Sequence, residues 1–172
     1  MGYEFKMDWY VGDSIQKEHK KLFVAQASCW IVTSDQKFIL VSKDGKSWTV
    51  PAGHTEKSDG GYVKTAIREV REETGLDISL YEQNIKVLGY YVISAFDKLS
   101  GLLANKDIQV RLFLQHRQHS AELRLQPMER DSQVGKVRYS APFSLSETIQ
   151  KIPWFDKSCD LKEIKKLIEF DE

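Results

Sequence analysis

Three glutamates, Glu69, Glu72 and Glu73, and two arginines, Arg68 and Arg71, crowd into six consecutive positions of the sequence. At 100° per residue, a helix over Tyr62 to Thr74 sets Val63, Ala66, Ile67 and Val70 on one arc and the three glutamates on a neighbouring arc. One face packs and the other presents carboxylates. Like-charge pairs at i,i+3 and i,i+4 each destabilise a helix by about 0.2 to 0.5 kcal/mol, and these acids sit at the negative end of the helix dipole. A divalent cation reverses both penalties. Oxygen ligands suit Mg²⁺ or Mn²⁺, which take one or two protein carboxylates, keep several waters and accept phosphate oxygens. Spacing alone is equally compatible with a solvated acidic face on which Arg68 pairs Glu72 at i,i+4.

The helix is reached from a β-like segment, Trp48 to Ala52, through a loop containing Gly53, Gly60 and Gly61. Glycine there has a physical use: without a Cβ the chain turns tightly and a carbonyl can approach a metal or a phosphate. Gly75 reads as the glycine that ends the helix.

Residues 68–76, Arg-Glu-Val-Arg-Glu-Glu-Thr-Gly-Leu, preceded at a distance by Gly53, resemble the Nudix box, Gly-x5-Glu-x7-Arg-Glu-U-x-Glu-Glu-x-Gly-U, where U is a bulky aliphatic residue. The last nine positions match throughout. Counting back from Arg68 puts the first box glutamate on Gly60 and the first glycine on His54, so Gly53 fits only with one inserted residue, and Asp59 then takes the acidic position. Either Asp59 substitutes for that glutamate or the acid is absent, with Glu56 a further substitute.

The 172-residue length fits a single domain spanning 1–172. Its 25 basic and 25 acidic side chains cancel, so no overall field draws it to nucleic acid or an anionic membrane. Cys29 and Cys159 lack metal-type spacing and read as reduced thiols, as in a cytoplasmic protein. The sequence offers no apolar stretch of membrane-spanning length and no signal-peptide pattern.

Along the chain, residues 1–21 form a lead-in strand or arm, with His19 expected at the surface. Strands are expected over Leu22 to Ser34 and Lys37 to Ser42, joined by a turn at Ser34-Asp35-Gln36, and then over Trp48 to Ala52, where Pro51 marks a strand end or edge. Ile85 to Phe96 and Ile108 to Gln115 follow, joined by a polar, mobile connection from Asp97 to Asp107. Tyr90 and Tyr91 face opposite sides of their strand; packing is the reading for both. The cluster Gln115-His116-Arg117-Gln118-His119 reads as a hydrated strand end, and Lys136 to Ser140 as another strand. Ser144-Leu145-Ser146-Glu147 is a capping box before Thr148 to Ile152, and Asp160-Leu161-Lys162-Glu163 offers a similar cap for a last helix. Leu161, Ile164, Leu167 and Ile168 on that helix are core or interface, which leaves a homodimer open. Trp154 either covers a nucleobase or anchors the helix junction.

The resemblance implies an α/β/α sandwich with a mixed β-sheet, carrying its metal site on the box helix. It implies Mg²⁺- or Mn²⁺-dependent hydrolysis of a diphosphate linkage in a nucleoside diphosphate derivative, a small molecule. In that reading Glu69 and Glu73 are metal ligands, joined by a carbonyl of Ala52 or Gly53. Glu72 is a third ligand or the proton acceptor, and Arg68 holds the carboxylates in place. The family often draws a further ligand or base from a later loop, for which Glu129 is the candidate and Asp131 the runner-up. A dinucleoside polyphosphate, a sugar nucleotide or a capped RNA would use the same chemistry, though the balanced charge argues against long RNA. The alternative is a non-catalytic Nudix-like module that binds a nucleotide to regulate a partner.

Overall fold

The computed structural model describes residues 2–128 and 136–171. Among these described residues, eleven strands and α-helices follow in the order β1 (Tyr3–Val11), β2 (Phe23–Val32), β3 (Phe38–Ser42), β4 (Trp48–Thr49), β5 (Ala52–His54), α1 (Tyr62–Thr74), β6 (Lys86–Asp97), β7 (Leu103–Gln115), β8 (Tyr139–Phe143), α2 (Leu145–Lys151) and α3 (Cys159–Leu167). The strands form one mixed sheet in the order β1-β6-β7-β2-β3-β4, with β5 added to β2 and β8 to β3. β2 and β7 run parallel, and the other pairings are antiparallel.

Period-two alternation builds two cores. Ala27, Cys29 and Ile31 on β2 join Ile108, Val110, Leu112 and Leu114 on β7 beneath Ala66 and Val70 of α1. Trp30 and Val32, from the intervening positions of β2, pack on the opposite face with Leu145, Phe155, Leu161 and Ile164 from the α2–α3 region. The result is a mixed sheet between helical layers, the α/β/α sandwich anticipated from the sequence. The stripe on α3 is core: Leu161, Ile164 and Ile168 are buried, and Leu167 is exposed.

Several local expectations need correction. His19 is buried, its Nδ1 2.7 Å from the Tyr90 hydroxyl, because a short 3₁₀ turn folds back onto the sheet. The segment Trp48 to Ala52 is split between β4 and β5 at Pro51, whose missing N–H breaks the ladder. β7 begins at Leu103, so the supposed connection from Asp97 to Asp107 is a tight turn followed by strand; the Asp97 carboxylate caps it by accepting from the Leu99 and Ser100 N–H groups. His116 is buried and its Nδ1 accepts the Gln118 N–H. The strand expected over Lys136 to Ser140 lies at Tyr139–Phe143. β1 is a strand along its whole span, paired to β6.

Asp160 does not cap α3. Ser158 does, accepting the Leu161 N–H, while Asp160 is fully buried. Its carboxylate accepts from Trp30 Nε1 at 2.8 Å and the Tyr91 hydroxyl at 2.9 Å. Arg111 Nε lies 3.3 Å away as an ion pair without hydrogen-bond alignment. This cluster fastens α3 to the sheet. Trp154 is half-exposed and meets Trp30 and Phe155 edge-on at the junction after α2. Cys29 and Cys159 are free thiols. No helix among the described residues is long and apolar enough to cross a membrane.

Candidate metal and phosphate site

The apolar face of α1 fixes the orientation of its acidic face. Ala66 and Val70 are buried against β2 and β7, so Arg68, Glu69, Glu72 and Glu73 turn toward β5 and the loop before the helix. Gly75, at φ 81°, ends the helix, and a Cβ there would strike the Gln126 backbone. The segment beyond carries Gln126 and Met128, whose N–H groups donate to the Thr74 and Glu72 carbonyls. Those bonds satisfy the end of the helix that bears the carboxylates.

The loop before α1 is built around Asp59. A 3₁₀ turn, Lys57–Asp59, closes with the Glu56 N–H donating to Asp59 Oδ2 at 2.8 Å. Gly60 and Gly61, at φ 79° and 123°, then reverse the chain into the helix, a path that disfavours side chains. Asp59 thereby faces Arg68, which donates from Nε to Oδ1 at 2.7 Å and from Nη2 to Oδ2 at 3.0 Å, and Thr65 Oγ1 adds a donor at 2.8 Å. This bidentate pair holds the Asp59 carboxyl well below the usual range and raises Arg68 above its own.

Arg68 also reaches Glu69 Oε1 at 2.7 Å, Glu72 Oε2 at 3.4 Å and the His54 carbonyl at 2.9 Å. Glu73 points the other way, and its Oε1 accepts the Ala52 N–H at 2.7 Å. Burial pushes the Glu73 carboxyl up to about 7, and Glu69 adds to the rise, while the Ala52 N–H and Lys43 oppose it.

Gly53 runs so close to Glu69 that a Cβ on it would overlap the carboxylate. The ladder to β2 pairs Ala27 with Gly53 and donates Cys29 N–H to the Pro51 carbonyl and Thr55 N–H to Ala25. Alternation therefore turns Ala52 and His54 outward toward α1, as their bonds to Glu73 and Arg68 also require. Of the two candidate carbonyls, that of Ala52 faces the carboxylates.

Glu69, Glu72 and Glu73 line a cleft of about 340 Å³ with Lys43, Gly53, His54, Glu56, Met128, Lys136 and Val137. Among the described residues no three His, Cys, Asp or Glu side chains converge into a ready-made cage. Arg68 draws in Glu69 and Glu72, whereas Glu73 folds onto β5. The donors still suit a hard divalent cation: they are all oxygen, and Gly53 leaves the Glu69 carboxylate directly against the β5 backbone. Glu129 and Asp131 lie outside the described residues. Sequence reasoning missed Thr65, Lys43 and Lys136. Thr65 shares a face with Arg68 at i,i+3 and was within reach of a helical projection; the lysines come from distant loops, after β3 and before β8, and carried no signal.

Comparison with known proteins gives the family and the fold. The family model described as NUDIX domain matches residues 22–156. The protein named "Putative hydrolase 111R" of Invertebrate iridescent virus 3 is 36% identical over 64 residues, which are 36% of this chain and 38% of that protein, so the match spans well under half of either. A crystal structure of a Bacillus subtilis pyrophosphohydrolase, BsRppH, in a variant form, superposes with a TM-score of 0.53 at 16% identity, covering 92% of this chain and 90% of that chain. The MutT protein of Methanosarcina mazei Go1 gives a TM-score of 0.49 at 15% identity over 87% of this chain and 99% of that chain. With the box helix, its clamped arginine and a family match over most of its length, the chain belongs to the Nudix family of hydrolases.

Proposed function

We propose that the protein hydrolyses a diphosphate linkage in a nucleoside diphosphate derivative, with Mg²⁺ or Mn²⁺ as cofactor. The observation that carries this reading is the Asp59–Arg68 clamp beside Glu69, Glu72 and Glu73, which line one open cleft together with Lys43 and Lys136. Glu69, Glu73 and the Ala52 carbonyl would hold the cation, and Glu72 would be a third ligand or the proton acceptor. When bound, the cation would neutralise charge on the phosphate oxygens and lower the pKa of an attacking water.

The chain's own groups do the rest. Asp59 fixes the guanidinium of Arg68, and Arg68 fixes Glu69 and Glu72 by charge-assisted hydrogen bonds. Lys43 and Lys136 add positive charge to the cleft lining, which favours a diphosphate's own negative charge. Glu73, held by the Ala52 N–H, ties the helix to β5 so that the site keeps its shape.

A screen of nucleoside diphosphate and triphosphate derivatives with Mg²⁺, following release of phosphate or nucleoside monophosphate, tests the reading. It expects metal-dependent release from at least one diphosphate-linked compound. No release from any of them, or release indifferent to a chelator, overturns it.

A further inference from the structure

Among the described residues the sheet has one long open edge. At its far side β4 has two residues and β8, paired to β3, has five, whereas β1 has nine and pairs with β6 in an unbroken register from Tyr3↔Asp97 to Val11↔Gly89. Natural edges of that length carry prolines, bulges or charged side chains, and of these devices β1 has only the charges of Glu4, Lys6 and Asp8, which a second strand must match. β1 has no proline and no bulge, and it exposes Tyr3, Phe5 (65%), Met7 (53%) and Val11.

Which backbone groups β1 leaves open follows from its pairing. The Lys98 N–H donates to the Gly2 carbonyl, and Gly2 precedes the Tyr3↔Asp97 pair. Antiparallel bonding alternates, so Glu4, Lys6, Asp8 and Tyr10 bond to β6, and Tyr3, Phe5, Met7, Trp9 and Val11 aim N–H and C=O outward. The open groups belong to the residues with apolar side chains.

We propose that β1 pairs antiparallel with β1 of a second copy of this chain, about a two-fold axis through Met7, joining two sheets into one. Five two-fold registers keep the apolar residues on one face and overlap at least five residues of β1, with axes through Phe5, Lys6, Met7, Asp8 or Trp9. The axis through Asp8 sets Asp8 on Asp8, which is repulsive, and the axis through Trp9 leaves the Tyr3 end without a strand opposite. An axis through Lys6 sets lysine on lysine and Glu4 on Asp8, which is repulsive. An axis through Phe5 pairs Glu4 with Lys6 but leaves the Trp9 end of the strand without a strand opposite. An axis through Met7 engages all nine residues. It sets Tyr3 opposite Val11, Phe5 opposite Trp9 of the partner subunit and, twice by symmetry, Lys6 opposite Asp8 of the partner subunit. Within one chain Lys6 and Asp8 are exposed and 3.8 Å apart, so both are available to the partner strand. An isologous contact of this kind closes at two copies.

Light scattering or sedimentation of the whole chain over about 1 to 100 μM, the range in which a dimer of micromolar affinity forms, should show mass rising from 19.9 kDa toward twice that value. Met7→Pro deletes an outward N–H and leaves the ladder to β6 intact; it should give a monomer with the wild-type far-ultraviolet spectrum. Lys6→Asp should weaken the dimer by about tenfold or more through like charges placed directly opposite, and adding Asp8→Lys should restore it. If Met7→Pro fails to fold, the charge pair still decides. A wild-type chain that stays monomeric, a dimer indifferent to Met7→Pro or Lys6→Asp, or a double variant that stays dissociated overturns the pairing. None of these residues lies in the carboxylate cleft, so the result stands or falls apart from the hydrolytic reading.

Discussion

Two arginines in this molecule meet carboxylates in opposite ways. Arg111 sits beneath α3 with Asp160, and that single buried carboxylate is matched by Trp30 Nε1, the Tyr91 hydroxyl and the guanidinium, with Ser28 accepting from Arg111 Nη1 at 3.0 Å. Arg68 sits on α1 among Asp59, Glu69, Glu72 and Glu56, and Glu73 adds another acid close by. Charge is balanced in the first cluster and left negative in the second. A closed, balanced cluster holds elements together; an open one with surplus carboxylates is poised for a cation from solution. The same two residue types serve packing in one place and, in the proposed function, ligand binding in the other, and surrounding stoichiometry separates them.

The sharpest way to break the comparison is to remove surplus charge from the open cluster. Glu72→Gln and Glu73→Gln keep the shape and should lower kcat by roughly 10² to 10⁴-fold, the range for a group acting directly on a reacting proton or charge. The melting temperature of Glu72→Gln should stay near wild type, and Glu73→Gln should remain folded. Near-normal turnover in both variants would make the acidic face surface decoration. The closed cluster should respond in the reverse sense. Asp160→Ala leaves Arg111 buried without its partner, which costs about 3 to 5 kcal/mol, or a fall of about 6 to 20 °C in melting temperature for a chain of this size. Activity per folded molecule, measured well below the melt, should persist.

The contrast was only partly legible in the sequence. The bounds of α1 follow from its apolar arc and from Gly75, and the outcome matched them residue for residue. β2 and β7 were visible as apolar runs because both of their faces are buried. The first part of β7, Leu103 to Asp107, was hidden since its side chains are largely polar and exposed and only its pairing to β6 makes it strand. Asp160 was misread because Ser158 and Asp160 are both capping types two residues apart, and the partners that bury it come from β2, β6 and β7. Asp59 was reachable through the box spacing. Its bidentate grip on Arg68 depends on the reversal at Gly60 and Gly61, which spacing does not encode.

A subtler test concerns pH. The folded Glu73 carboxyl is raised from 4.5 to about 7. A raised group contributes stability that is fully present below its unfolded value and lost as pH rises through its folded value. In chelator, wild type should therefore lose melting temperature relative to Glu73→Gln between about pH 5 and pH 8. A constant gap across that window would mean that Glu73 is not held as described.

The smallest effect is expected at the front of the box. Asp59 acts through Arg68, so Asp59→Asn should lower activity by about 10 to 100-fold, as groups that orient ligands do. Gly60→Glu should add nothing, because that position is left-handed and its Cβ would meet open space. A silent Asp59→Asn together with an activating Gly60→Glu would show that Asp59 is not the working acid.

The central claim, that the unbalanced carboxylates of α1 take a divalent cation, is tested most directly by thermal melting at about pH 8 with chelator or with millimolar Mg²⁺ or Mn²⁺. A ligand bound only by the folded state at about 100 times its Kd adds about 2.7 kcal/mol, so wild type should melt several degrees higher with metal and Glu73→Gln should gain far less. Melting temperatures that ignore the metal in both proteins would contradict the claim.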